Sequence, residues 1–325
     1  MLKAYTILFC SIFFFNGTIY AQKEQDKSSV FYQHLIQALS LYLTVDYNSA
    51  KIVSEKTEHS EQLFLETEKF KNKYRNAFTN LKNVLGAEQD IFRSTSDNLK
   101  FRLNEFYNKF PISSETAFSF TKKIKSYNEG INSEGAFRSL LIFQYLENPV
   151  EEFKDSFTNI FNTSGHIKAK NTKWTVRYPK SWKLEESDRP NTICALKSES
   201  DSLTSLTMVT LRVDEILDFS GEFGTLEFAK SICPKQANIL NFTKLNIEGC
   251  PSGSVEYYMP INSSNPSFLK NLLFYFIYNN NIYSINCGCV TENQSDLQKL
   301  WMRNLPIFNQ IINSVVLLDK FQYRN

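Results

Sequence analysis

The spacing of apolar residues changes once along this chain, from about 3.6 to 2, and that change separates a part able to fold as helices from a part able to fold as sheet. Phe31, Leu35, Ala38, Leu39 and Tyr42 lie on one helical face. From Phe70 the stripe runs through Tyr74, Phe78, Leu81 and Leu85 to Gly86, which stands where a helix would end. Phe92, Leu99, Leu103, Phe106 and Phe110 mark another helix, stopped by Pro111, and Ser113 or Ser114 can cap the next, which carries Phe120, Ile124 and Tyr127 to Gly130. Phe137, Leu141 and Tyr145 predict a fifth segment, and Phe153, Phe157 and Phe161 a sixth. Each stripe must be buried, and short connections favour antiparallel packing into an all-α bundle over 22–165. The segment 51–73, with Glu55, Lys56, Glu58, Glu61, Glu66, Glu68 and Lys69, is charged enough to predict a solvated face or a contact with another chain.

After the polar stretch 162–173, expected to act as a hinge, the period becomes 2. In Trp174-Thr-Val-Arg-Tyr-Pro-Lys-Ser-Trp182, Trp174, Val176 and Tyr178 alternate with polar residues, Pro179 ends the strand and Trp182 opens the next, 182–186. Strands follow at 192–197 and 205–213, a helix at 224–233 and a hairpin at 239–247 and 253–259. Two stronger strands at 269–278 and 282–290 are joined across Asn279, Asn280 and Asn281. The run Leu272 to Ile277 is continuously apolar and predicts a strand covered on both faces. Leu297, Leu300 and Trp301 form one closing helical face, and Pro306 suits the first turn of a second helix carrying Phe308, Ile311, Ile312 and Val315. A first strand of the form aromatic-x-Val-x-Tyr-Pro-x-x-Trp, with this order of elements across about 166–318, resembles the PsbP-like family. Its fold is shared by a photosystem II extrinsic subunit, a nuclear-transport regulator of Ran and many bacterial secreted domains. The resemblance implies an α+β chain in which the helical bundle is followed, over 166–325, by a twisted antiparallel sheet with flanking helices, an α/β/α sandwich. It also implies a binding or assembly module without catalytic groups, since fold constrains architecture more than function.

Residues 1–21 carry Lys3, an apolar run from Tyr5 to Phe15 and a small-residue stretch ending at Ala21, before Gln22. This is the pattern of a secretory leader cleaved between Ala21 and Gln22, and it is shorter than the ~20 apolar residues of a membrane span. Cys10 offers a second route, cleavage before it and a lipid anchor, although bulky Phe9 precedes it. No later stretch predicts a transmembrane span. Beyond the leader the chain keeps all 34 acidic residues and all but one of the 36 basic ones, a balance that argues against nucleic acid as a dedicated partner.

Five cysteines follow the leader: Cys194, Cys233, Cys250, Cys287 and Cys289. In an oxidising compartment disulfides are expected, and the odd number leaves one thiol over. Cys233 and Cys250, each beside a proline at an element end, are the candidate pair. Cys287 and Cys289 lie two apart on one strand face, with Cα atoms about 6.5–7 Å apart, at the edge of disulfide reach. They read as core residues or, alternatively, as a redox dithiol or part of a thiolate metal site. His34, His59 and His166 have no spacing that joins them as metal ligands, and no glycine-flanked nucleophile or phosphate-binding loop occurs. Trp182 and Trp301 are expected in the core, or otherwise lining a groove; the loops 214–222 and 260–266 would flank any cleft. No cofactor is expected. These residues predict an exported, non-enzymatic protein of the bacterial envelope that binds a protein or small ligand, the helical half supplying the contact surface and the sheet a rigid platform. A thiol-dependent redox or metal-binding protein using Cys287 and Cys289 is the alternative.

Overall fold

The computed structural model describes residues 30–86, 89–201, 205–216, 221–261 and 267–321. The expected leader, with Cys10, Ala21 and Gln22, lies outside them, as do parts of the loops 214–222 and 260–266. The chain divides into two compact units at Leu146 and Glu147.

The first unit is helical: α1 (Val30–Ser54), α2 (Ser60–Lys73), α3 (Arg75–Leu85), α4 (Gln89–Lys109), α5 (Ser114–Asn128) and α6 (Gly135–Gln144). α1 is its axis, buried from Leu35 to Val45 almost without interruption and packed against the other five. The continuous stripe expected from Phe70 to Leu85 is divided between two helices at Tyr74, whose backbone leaves the helical region at φ −101°, ψ 25°. The reason is tertiary. Tyr74 is fully buried at that corner, donates its hydroxyl to the Tyr127 carbonyl at 2.7 Å and packs between Phe70 and Phe137, at 4.8 and 5.9 Å. The charged segment has the expected solvated face, with Glu55, Lys56, Glu58, Glu61 and Lys69 exposed; of the charged residues named for it only Glu66 is buried. α2 turns Leu63, Thr67 and Phe70 inward against α1 and α5, leaves Glu61 exposed and pairs the half-exposed Glu68 with Lys71 at 3.6 Å. Ser113 caps α5 through a capping box with Thr116.

The second unit runs α7 (Val150–Lys154), β1 (Thr158–Asn162), β2 (Trp174–Pro179), β3 (Lys183–Glu186), β4 (Thr192–Lys197), β5 (Ser205–Glu215), α8 (Leu226–Ile232), β6 (Asn238–Ile247), β7 (Cys250–Ile261), β8 (Ser267–Tyr278), β9 (Asn281–Thr291), α9 (Gln294–Asn313) and β10 (Val316–Leu317). The sixth helix expected from Phe153, Phe157 and Phe161 is therefore wrong. After one turn the chain extends, and β1 pairs antiparallel with β2 from Thr158↔Pro179 to Asn162↔Thr175. That pairing draws 147–165 into the sheet unit, so the division falls before it rather than near Gly165. A spacing of four between aromatic residues fits a helix face, and it also fits alternate positions of a strand, which burial against Trp174 and its neighbours selects here.

All pairings are antiparallel. A seven-stranded sheet has the order β3-β4-β5-β9-β8-β7-β6, and a small sheet has the order β1-β2-β10. The two tight hairpins use left-handed pairs: Glu248 and Gly249 at φ 51° and 81°, Asn279 and Asn280 at φ 48° and 59°. The β6–β7 turn is thus only 248–249, and β7 begins at Cys250 rather than at the expected Gly253. The closing segment is one helix, with Pro306 in its interior rather than opening a second one. Continuous burial of Leu297, Trp301, Phe308, Ile311 and Ile312 on the sheet outweighs the hydrogen bond that the proline forfeits. α9 and the small sheet cover one face of the large sheet, meeting Leu272, Phe274, Phe276, Tyr283 and Ile285; α8 lies on the other, against Val255, Tyr257, Leu273, Tyr275 and Ile277.

The stretch 162–173 is fastened rather than hinged. Thr163 accepts from the Trp174 N–H at 2.9 Å and donates to the Thr172 carbonyl at 2.9 Å, while the Thr172 and Tyr283 hydroxyls meet at 2.5 Å. The Lys168 ammonium donates to the carbonyls of Ser187, Arg189 and Thr192, closing the β3–β4 loop around itself.

Gly253 on β7 lies beneath the buried Tyr275 ring, and a Cβ there would come within 2.7 Å of the phenol oxygen and 3.0 Å of Phe242. Gly253→Ala is therefore expected to cost about 1–3 kcal/mol in equilibrium denaturation. An unchanged denaturation midpoint would mean that Tyr275 can move aside.

Candidate functional site

Alternation along β5 shows which sheet surface is free. Thr207, Val209, Leu211 and Val213 are buried under α9 and the small sheet, while Met208, Thr210, Arg212 and Asp214 are only partly covered. α8 packs over β6 and β7, and its cluster extends to β8. The β3, β4 and β5 portion of that face is left as a polar plateau. Two charged groups frame it. Glu185 is held between Lys183 at 2.9 Å and Lys197, and Arg212 pairs with Asp214 at 3.2 Å. The register sets Glu185 beside Ala195, Ala195 beside Thr210 and Thr210 beside Asn286, so these groups form rows on one surface. An antiparallel sheet with one dry and one wet face gives such a plateau directly. The plateau offers paired charges, hydroxyls and amides, with Ala195, Leu206 and Met208 among them, on the sheet's rigid backbone.

The residues singled out from sequence lie elsewhere. Trp182 and Trp301 are both core residues, 4% and 1% exposed, and each packs on Phe308, at 6.5 and 5.8 Å. The five described cysteines are free. Cys250 belongs to the cluster under α9 and Cys233 packs against the one under α8, so the sheet stands between them and the pair expected to bond does not. Cys287 and Cys289 share a face with Tyr283 and Ile285, fully buried. Burial pushes the Cys289 thiol up to about 12 and the Cys287 thiol well above its ordinary value. Burial likewise raises Cys194 to about 12 and Cys233 to about 11. Thiols held protonated and out of water lack the thiolate that redox and metal chemistry requires. Among the described residues no group of three or more His, Cys, Asp or Glu is placed to hold a metal ion. His34 bonds Ser139 at 2.8 Å, His59 meets the Phe118 ring and His166 meets the Phe161 ring, so the three are scattered.

Two buried polar arrangements were not foreseen. Glu152 on α7, 1% exposed, accepts from the Ser181 N–H at 2.7 Å and the Ser181 hydroxyl at 2.6 Å, pinning the helix to the turn after Pro179. Burial raises its carboxyl to about 8, against the opposing pull of those hydrogen bonds. Asp201 accepts from the Thr207 N–H at 2.6 Å and from Arg303 at 2.7 Å, tying the start of β5 to α9; burial raises its pKa although Arg303 opposes the rise. Glu152 and Ser181 stand 29 residues apart, and Asp201 and Arg303 102, so no local pattern joins either pair.

No protein-family model matches the chain, and no curated protein matches it. Among solved structures, the solution structure of cyanobacterial PsbP from Synechocystis sp. PCC 6803 is similar at 13% identity and TM-score 0.34, over 49% of this chain and 92% of that one. A crystal structure of the PA94 protein of Pseudomonas aeruginosa, of unknown function and named as a candidate regulator, is similar at 14% identity and TM-score 0.26, over 44% of this chain and 90% of that one. The chain has the expected class, helices followed by antiparallel sheet with flanking helices. At these identities and scores the likenesses carry nothing about activity.

The Glu152 carboxyl binds its proton more readily folded, at about 8, than unfolded, near 4.5. Its contribution is complete below pH 4.5 and is lost as pH rises through 8, on the order of a few kcal/mol. Glu152→Gln should flatten that part of the stability–pH profile, measured by denaturation from pH 4 to 9; parallel profiles would show that folding leaves the carboxyl's pKa where it was. With a thiol reagent in the native state, Cys233, the least buried, should label first, and Cys287 and Cys289 only on unfolding; prompt double labelling would restore the dithiol reading.

Proposed function

We propose that this chain is a non-catalytic binding or assembly module, exported to the bacterial cell envelope, in which the sheet unit presents a rigid polar face to a protein or small-ligand partner. The observation that carries the reading is the one-sided alternation of β5. A strand whose inner residues are wholly buried holds Thr210, Arg212 and Asp214 outward on a plateau that no described element covers closely. The helical unit adds exposed Phe64, Phe101, Phe118 and Ile131, apolar side chains of the kind that anchor contacts. Export is supported by the leader pattern before Gln22. Among the described residues no helix is long and apolar enough to cross a membrane.

Reversing charge on the plateau with Lys197→Glu and Arg212→Glu together tests this. Chemical cross-linking in the native envelope should recover a defined partner with the parent chain, and recovery should fall at least tenfold with the double variant while its melting temperature stays within a few degrees. Equal recovery by both would remove the plateau from the binding surface. The intact mass of the protein taken from cells should begin at Gln22; a retained leader or a lipid on Cys10 would correct the route of export.

A further inference from the structure

The two edges of the large sheet are unlike. β3 is four residues long, and Lys183, Glu185 and Glu186 guard it with charge. β6 is ten residues long, Asn-Ile-Leu-Asn-Phe-Thr-Lys-Leu-Asn-Ile, with Lys244 its single charge, and among the described strands it pairs with β7 alone. Natural sheets blunt their edges by shortness, charge, proline or bulges, because an open edge accepts another strand. β6 has one lysine and a bulge at Leu240, between Ile239 and Asn241.

Both cores also end at β6. Leu245 and Ile247 are only partly buried against the cluster under α9, Ile239 and Phe242 only partly against the cluster under α8, and Leu240 is 49% exposed. A strand laid along this edge would deepen both clusters at once. We propose that the occupant is β6 of a second copy of this chain, paired antiparallel about a two-fold axis through Thr243. Outward-facing residues of one parity pair with one another, so such an axis must pass through a residue. Centred on Lys244 it would set two ammonium groups opposite each other, which is destabilising. Centred on Phe242 it would bring the bulge into the pairing within two residues. Centred on Thr243, residues 241–245 pair without the bulge: Thr243 meets its own copy, Leu245 meets Asn241, and Lys244 lies across from the Phe242 ring, a cation–π arrangement without like charges. The two sheets become one continuous sheet, and the contact is isologous, which closes the assembly at two copies. The polar plateau, on β3 to β5 at the opposite edge, stays free in both copies, so this inference goes beyond the binding reading and does not depend on it.

One strand pair lies at the small end of stable interfaces, so the purified chain is expected to pass from one copy to two between about 1 and 100 μM in light scattering coupled to gel filtration. Thr243→Lys, at an exposed position, sets like charges opposite each other and should weaken the dimer at least tenfold with an unchanged circular dichroism spectrum. Thr243→Cys should form an intermolecular disulfide under mild oxidation, whereas Asn241→Cys, displaced by four residues from its own copy, should cross-link no faster than the parent chain. A chain that is monomeric throughout overturns the proposal. So does a dimer that Thr243→Lys leaves intact, or one in which Asn241→Cys cross-links as readily as Thr243→Cys.

Discussion

The contact on which the sheet unit depends is the seating of α9 across β8 and β9. Trp301, Phe308, Ile311 and Ile312 on the helix meet Phe274, Phe276, Tyr283 and Ile285 on the strands, with Trp174 of the small sheet closing the cluster. Each large apolar side chain taken out of water there contributes about 1.5–3 kcal/mol, so this one layer outweighs any surface ion pair in the unit. Its consequences reach the chemistry. Because the layer is dry, Cys287 and Cys289 are held as thiols, and because it is continuous, Pro306 is carried inside a helix it would otherwise end.

Buried polar groups then fix what the apolar layer leaves undetermined. Glu152 holds α7 to the turn at Ser181, Asp201 and Arg303 bind the start of β5 to α9, and Lys168 gathers three carbonyls of the β3–β4 loop. Each joins chain segments at a place where the strands end and apolar packing alone would allow the loop to slide. A buried polar group left without its partner costs about 1–3 kcal/mol, more when charged, so these contacts select one arrangement of the loops. That selection makes the sheet a fixed support for the proposed binding face.

Much of this was legible in the sequence, and the failures share a cause. The strands from Trp174, Thr192 and Ser205 and the β8–β9 hairpin were readable because alternation and turn residues are local signals. The helix expected through Phe157 and Phe161 failed because spacing by four suits a helix face and alternate strand positions alike; pairing with β2 decided it. Tyr74 broke a stripe that looked continuous, for the sake of a hydroxyl bond to a carbonyl on a distant helix. The polar stretch 162–173 looked like a tether because its partners, Tyr283 and the β3–β4 carbonyls, lie far along the chain.

For the candidate site the division is sharper. The sequence by itself determined the period of each segment, the turn residues that end it and the near balance of charge, since these depend on neighbours within a few residues. Which side of the large sheet is dry, which edge is guarded and which open, and on which face each cysteine lies were decided only by strand order and by where α8 and α9 settle. Cys233 and Cys250 show why. Both stand beside proline at element ends and look equivalent in sequence, yet Cys233 ends α8, which settles on one face of the sheet, while Cys250 opens β7 and its side chain enters the core on the other face.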